Sequence, residues 1–255
     1  MTTAAVLGVD VGGSGIKAAP VDVRTGKLLA DRQRIETPQP SLPEAVADVV
    51  AELVGGFGWE GPVGVAYPAV IRRGVVLTAA NIDRAWIGTD IDALLAARLG
   101  RPVATLNDAD AAGLAEVRFG AGRGRDGVVL MVTLGTGIGT ALFVDGHLVP
   151  NTELGHIEMG GHDAETRAAA SVRTRKNLSW DKWGRRVNAY LQRLEALLWP
   201  DLVIIGGGVS RRFDRFADAI RLQAEVVPAA LGNEAGIVGA ALVQAGLVDP
   251  GEPGR

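Results

Sequence analysis

Apolar positions fall into two kinds of run along this chain. Short, nearly uninterrupted apolar runs read as buried strands: Ala4–Asp10, Pro62–Tyr67, Pro102–Leu106, Gly127–Leu134 and Leu202–Ile205. Longer runs with apolar residues three and four apart read as helices: Ser41–Val54, Thr89–Leu99, Asn107–Phe119, Trp180–Leu198 and Glu234–Ala245. Gly15–Val21 follows the first strand across a glycine turn, and Leu28–Glu36 adds a third strand before Thr37-Pro-Gln-Pro40 breaks the pattern. Ser41, with Glu44 three residues on, suits a helix cap. After the polar link Gly120–Asp126 the same grammar restarts: strand, glycine turn, strand Ile138–Val144, hairpin turn Asp145-Gly146, then later helices. The recurrence predicts two related α/β halves facing a cleft. The expected division is a smaller domain over 1–107 and a larger one over 108–255, the last helix being a candidate to pack back on the first domain.

Composition narrows the class. The 255 residues are 47% hydrophobic, enough for a sizeable core, and 22% charged with a net charge of −3. That balance fits neither a disordered chain nor a general nucleic-acid binder. There is no cysteine, so disulfides and thiolate metal sites are excluded and a cytoplasmic protein is expected. The start, MTTAAVLGVDVGG, lacks the basic and long apolar regions of a signal peptide, and no run has the length of a membrane span.

Three glycine clusters stand where anions could bind. In Asp10-Val-Gly12-Gly13-Ser14-Gly15-Ile-Lys17 the glycines let backbone N–H groups approach a phosphate. Lys17 adds charge there, and Asp10 could orient a hydrated Mg²⁺. A tight hairpin with a surface Asp accounts for the same letters. Gly135-Thr136-Gly137-Ile138-Gly139 holds the matching place in the second half, which suggests two loops gripping one polyanion. Gly206-Gly207-Gly208-Val209-Ser210 ends a buried strand, where α/β folds gather ligands. Gly122-Arg-Gly124-Arg-Asp-Gly127 matches a dinucleotide pattern by letter, but it precedes a strand and reads as a linker.

Polar residues supply candidate chemistry. Asn107-Asp108 lies where a strand gives way to a helix; one of the pair suffices for a cap. The two together could hold neighbouring hydroxyls, with Asp108 accepting a proton; Asp110 is the nearby alternative for that role, or else an exposed first-turn acid. Glu153-Leu-Gly-His156, with Glu165 further on, could accept hydrogen bonds from hydroxyls, while His147, Glu158 and His162 read as surface groups. From Arg167 to Arg186 the chain is basic, including Arg173, Arg175 and Lys176: either a solvated face or a track for a long anion.

These residues resemble the ROK family of sugar kinases, a branch of the actin-like (ribonuclease H-like) superfamily with two domains around a central cleft. Within it the likeness is to actinobacterial polyphosphate glucokinases and polyphosphate/ATP glucomannokinases. It covers nearly the whole chain through LGVDVGGSGIK, TAANIDRAWIGT, LNDADAAGLAE, TLGTGIGTALF, NTELGHIEMGGHDAE, NLSWDKW, PDLVIIGGGVS and NEAGIVGAA. The resemblance implies Asp108 as catalytic base and Asn107, Glu153, His156, Glu165 and Asn81 as sugar contacts. It implies Asp10, Gly12, Gly13, Lys17, Gly135, Thr136 and Gly137 at the phosphates, and Gly207, Gly208 and Ser210 near a nucleotide. It implies glucose as acceptor, with mannose as a candidate second one, polyphosphate or ATP as donor, Mg²⁺ as cofactor, and a homodimer. An ATP-only kinase for another hexose or an N-acetylhexosamine is the alternative. Two features depart from the family: its Cys-rich zinc motif is missing, so no zinc site is expected, and the usual Pro-Gly of the sugar-side loop reads Pro68-Ala69. Family repressors carry an added N-terminal helix-turn-helix, for which a first strand starting at Ala4 leaves no room. An actin-like filament protein is disfavoured by the LNDAD and NTELGH residues.

Overall fold

The computed structural model describes residues 5–80 and 82–246. In chain order the elements are β1 (Ala5–Gly12), β2 (Gly15–Asp22), β3 (Lys27–Leu28), β4 (Gln33–Ile35), α1 (Pro43–Gly56), β5 (Val63–Tyr67), β6 (Ile71–Arg72), β7 (Val75–Val76), α2 (Ile91–Leu99), β8 (Val103–Asn107) and α3 (Asp108–Phe119). They continue with β9 (Val128–Leu134), β10 (Ile138–Val144), β11 (His147–Val149), α4 (Glu165–Ala168), α5 (Ala170–Arg175), α6 (Trp180–Leu198), β12 (Leu202–Gly206), β13 (Glu225–Pro228) and α7 (Ala235–Gln244). Among the described residues, no helix is long and apolar enough to cross a membrane.

The chain forms two compact units, one of residues 1–115 with 234–255, the other of residues 116–233. This differs from a division after Asn107: most of α3 belongs with the first unit, and so does α7. Each unit is built on one sheet of the same design. The first runs β3-β2-β1-β5-β8, with β4 also on β2; the second runs β11-β10-β9-β12-β13. In each, a strand pairs antiparallel with the next across a glycine turn, β1 with β2 and β9 with β10. Two further strands then add in parallel, β5 and β8 in one unit, β12 and β13 in the other. Parallel strands end at one edge, so each sheet gathers its loops there.

In the first unit, α1 and α2 cover the sheet with a core that includes Leu7, Val9, Val50, Leu53, Val65 and Trp86. Pro43 starts α1, having no N–H to leave unpaired, and Leu42 stands at its N-cap. Ser41 is therefore not the cap expected from sequence. Its hydroxyl accepts the Asp83 N–H at 3.2 Å and its carbonyl the Trp86 indole N–H at 2.8 Å. The expected strand Leu28–Glu36 is instead two short pieces, β3 and β4, both on β2.

On β1 and β5 lies α7, unusually close. A β-carbon at Gly8 would overlap the Ile237 carbonyl, one at Gly64 the Ala240 carbonyl, and one at Gly239 the Ala111 carbonyl. Three absent side chains thus let helix backbone rest on strand and helix backbone.

The second unit packs α6 against its sheet. Trp183, Val187, Tyr190, Leu191 and Leu194 form its buried stripe, and Ser179 caps it by accepting the Lys182 N–H at 3.2 Å. Asp145 and Gly146 turn the β10–β11 hairpin with φ of 50° and 78°, the left-handed pair such two-residue turns require. Glu116 is wholly buried, where its carboxylate accepts the N–H groups of Ala121, Ala230 and Leu231 at 2.8, 3.0 and 2.7 Å. One side chain so fixes the link after α3 and the segment after β13.

Gly64→Ala should cost more than about 3 kcal/mol, because the Ala240 carbonyl cannot retreat without lifting α7. Gly55→Ala, in α1 with nothing within 4 Å, should instead stabilise by roughly 0.5 kcal/mol. Urea unfolding of the two variants checks both signs.

Candidate active site

At the carboxyl edge of the first sheet, β1 delivers Asp10 and the turn Gly12–Gly15, and β8 delivers Asn107. Asp10 is in register with Ala66, and Asn107 with Tyr67, so only β5 separates them, a span of roughly 10 Å. Lys17 returns on β2 to place its ammonium 3.2 Å from Asp10 Oδ2. The start of α7 faces the same carboxylate: a β-carbon at Gly236 would lie 2.9 Å from the Asp10 carboxyl carbon. Two residues outside the glycine motif hold the turn. Arg34 donates to the Ser14 carbonyl at 2.6 Å, and the Thr37 hydroxyl donates to the Gly12 carbonyl.

Asn107 and Asp108 both serve the start of α3. Asn107 is buried, and its Oδ1 accepts the N–H groups of Ala109 and Asp110 at 2.9 and 3.1 Å. Its Nδ2 donates to the Ala69 carbonyl at 3.1 Å, which fixes the loop in which Pro68-Ala69 stands. The half-buried Asp108 accepts the Ala109 N–H at 2.8 Å. Asp110 is not the exposed acid expected, but wholly buried, because the first turn of α3 runs into the core between Ala109 and Ala111. Asn81 lies outside the described residues.

In the second sheet Gly206 pairs with Thr133, so the turns Gly135–Gly137 and Gly207–Gly208 leave neighbouring parallel strands side by side. Ser210 is buried, its N–H donating to the Gly207 carbonyl at 3.1 Å. The turn after β9 is tied to α5. Ser171 N–H donates to the Gly135 carbonyl at 3.0 Å and its hydroxyl to the Thr136 carbonyl at 2.6 Å. Both carbonyls are thereby occupied, which removes acceptors that would repel an approaching phosphate. The same short helix ends on Arg173 and Arg175, followed by Lys176. Arg173 stacks its guanidinium 3.7 Å over the Trp180 ring, while Arg175 and Lys176 are exposed.

A second polar group surrounds His156. Thr140 and Thr152 exchange hydroxyl bonds, and Leu154 N–H donates to Thr140 Oγ1 at 3.2 Å, which locks the segment carrying Glu153 to β10. Gly155 then lies on Ile138, whose carbonyl a side chain would strike. Glu165 Oε2 accepts the Ile138 N–H at 3.2 Å, joining this group to the glycine turn. Burial raises the Glu153 carboxyl above its usual range, His156 opposing and Glu165 adding to the shift. The Asp163 hydrogen bond raises His156, against a smaller lowering by burial, and Glu165 and Glu153 add to it.

Among the described residues no three His, Cys, Asp or Glu side chains group as a metal site. One carboxylate beside a glycine turn, as Asp10 provides, is a donor set of the kind that suits Mg²⁺ taken up mainly through a ligand's phosphate oxygens.

Comparison with known proteins adds the family. A model described as the ROK family matches residues 6–170. The chain is 53% identical over 236 residues to polyphosphate glucokinase of Mycobacterium tuberculosis, covering 92% of this chain and 89% of the relative. It is 31% identical over 310 residues to glucokinase of Streptomyces coelicolor, covering 92% and 96%. Among solved structures it is similar to inorganic polyphosphate/ATP-glucomannokinase from Arthrobacter sp. strain KM, with TM-score 0.92, 53% identity and coverage of 96% and 99%. A ROK family glucokinase from Streptomyces griseus in complex with glucose and AMPPNP gives TM-score 0.83, 28% identity and coverage of 94% and 99%.

Ser171→Ala should leave the fold intact, cost about 1 kcal/mol and quicken amide exchange across residues 135–138. Unchanged exchange there would show that the turn holds its shape without α5.

Proposed function

The chain belongs to the ROK family, and we propose that it transfers a phosphoryl group from inorganic polyphosphate or ATP to the 6-hydroxyl of glucose, with mannose as a further acceptor. Its fold is the actin-like α/β fold of the ROK sugar kinases. What carries the reading is identity at more than half of the aligned positions, over nearly the full length of both chains, with a relative named for this activity.

The residues divide by role. Asp108 takes the proton of the 6-hydroxyl as its oxygen attacks the terminal phosphorus in line. A new O–P bond forms, the bridging P–O bond of the donor breaks, and ADP or a shortened polyphosphate leaves with the bond's electron pair. Asn107 holds the start of α3 and so aims Asp108, with one amide hydrogen left over after its bond to Ala69. Glu153, His156 and Glu165 accept hydrogen bonds from sugar hydroxyls, and Asn81 is a further proposed contact. Gly12, Gly13 and Lys17 receive phosphate oxygens, as do Gly135, Thr136 and Gly137, while Gly207, Gly208 and Ser210 serve the nucleoside part of ATP. Asp10 would hold Mg²⁺ together with donor oxygens, and the ion would supply charge neutralisation. We expect a cytoplasmic enzyme and a homodimer.

Asp108→Asn should lower kcat by about 10²–10⁴ while glucose still binds, measured by coupled assay and calorimetry. A near-normal kcat would remove Asp108 from the mechanism.

The donor is tested by charge. A polyphosphate extends beyond a nucleotide's three phosphates, and α5 hangs its cations from the glycine turn. Arg175→Gln with Lys176→Gln alters exposed groups only, avoiding the packed Arg173. The pair should raise KM for long polyphosphate about tenfold, leave KM for ATP within about twofold, and mimic added salt acting on the parent. Equal effects on both donors would reduce the basic stretch to a solvated face. A parent active with ATP alone would make it an ATP-dependent hexokinase.

A further inference from the structure

His156 ends a 3₁₀ turn, Leu154–His156. The chain then folds into a miniature hairpin. Glu158 and Asp163 bridge antiparallel, Met159 N–H donates to the His162 carbonyl at 2.8 Å, and Ala164 N–H to the Ile157 carbonyl at 3.0 Å. This brings Asp163 back to the histidine, with Oδ2 3.1 Å from Nδ1. On the ring's other side, Nε2 lies 3.6 Å from Glu153 Oε2. Neither side chain is deep: the two are 40% and 51% exposed. An ion pair so exposed contributes little to stability, so its consequence is orientation.

The orientation follows from donor and acceptor chemistry. An ionised carboxylate only accepts, so Asp163 requires the proton of the neutral ring to sit on Nδ1. Nε2 is then left with a lone pair, beside a carboxylate oxygen. Two acceptors side by side repel one another and are matched by two hydroxyl donors. We propose that Asp163 is a positioning residue for the acceptor sugar, holding the His156 proton on Nδ1 so that Nε2 and Glu153 Oε2 together accept from neighbouring hydroxyls. The inference rests on the glucokinase reading above.

A pH signature separates this from a merely structural role. Asp163, Glu165 and Glu153 all face the ring and favour its protonated form. Below its raised pKa, Nε2 carries a proton and cannot accept from a hydroxyl. Glucose affinity should therefore fall on acidification, through the His156 titration.

The test uses the whole ¹⁵N-labelled chain, whose three histidines give few ring signals. In the parent, His156 should be protonated at Nδ1 when neutral and should titrate above the ordinary histidine range. Asp163→Ala should lower that pKa, shift the tautomer toward Nε2–H, and weaken glucose binding about tenfold by calorimetry at a pH above the parent's His156 titration. The acid limb of the binding curve should move to lower pH, with kcat at saturating glucose changed less. Asp163→Asn keeps an oxygen acceptor without charge, so it should lower the pKa while holding affinity within about threefold. Parent-like tautomer and affinity in Asp163→Ala would overturn the proposal. So would a changed tautomer with unchanged affinity. Failure of the glucokinase reading looks different: the parent itself would bind no glucose, which overturns the sugar contact while the His156 spectra still decide whether Asp163 holds the ring.

Discussion

Helix α7 lies on β1 and β5 closer than side chains would allow, and the position of Asp10 follows from that contact. With Gly8 and Gly64 beneath it and Gly239 against α3, the helix is fixed in height by carbonyl oxygens rather than by side chains. Backbone cannot change rotamer, so the spacing tolerates little adjustment. The helix's first turn is thereby set against the Asp10 carboxylate, which Lys17 holds from the other side. The Asp10 carboxylate thus has an ammonium and the first turn of a helix as its neighbours.

The two sheets solve one problem twice. A hairpin closed by glycines carries backbone N–H groups to the sheet edge, and each time residues outside the hairpin occupy its carbonyls. Arg34 and Thr37 do so in the first unit, Ser171 in the second. Anion affinity in such a loop depends as much on turning carbonyls away as on presenting N–H groups. The second unit adds a link of its own. Through Glu165 and Ile138 its glycine turn is bonded to the segment that also contains Glu153 and His156.

Most strands and helices were legible from the sequence to within a residue or two, because an apolar run or a helical stripe is a local property of the chain. The glycine turns were legible for the same reason. What could not be read was whatever depends on residues far apart. Ser171 acts on a turn 35 positions earlier, and Arg34 on one 20 earlier. Serine and arginine in polar segments carry no mark of such a partner. Asp110 looked like a solvated first-turn acid, but helix α3 turns that face inward. Strand β13 is half-exposed at a sheet edge and ends on a proline, so neither burial nor alternation announced it. The return of α7 to the first unit is not written in α7 itself, since the glycines that receive it lie on other elements.

That return also bears on how the chain comes off the ribosome. The first unit needs α7, yet residues 116–233 are all synthesised in between. The second unit is continuous and can fold as soon as it emerges. The first must wait with β1 and β5 uncovered, their glycine tracks exposed to other chains as well as to solvent. Closing so long a loop costs little more entropy than closing one of half the length, but it slows the search. The order of assembly is thus inverted relative to the order of synthesis: the middle of the chain matures first, and the beginning is finished by the end.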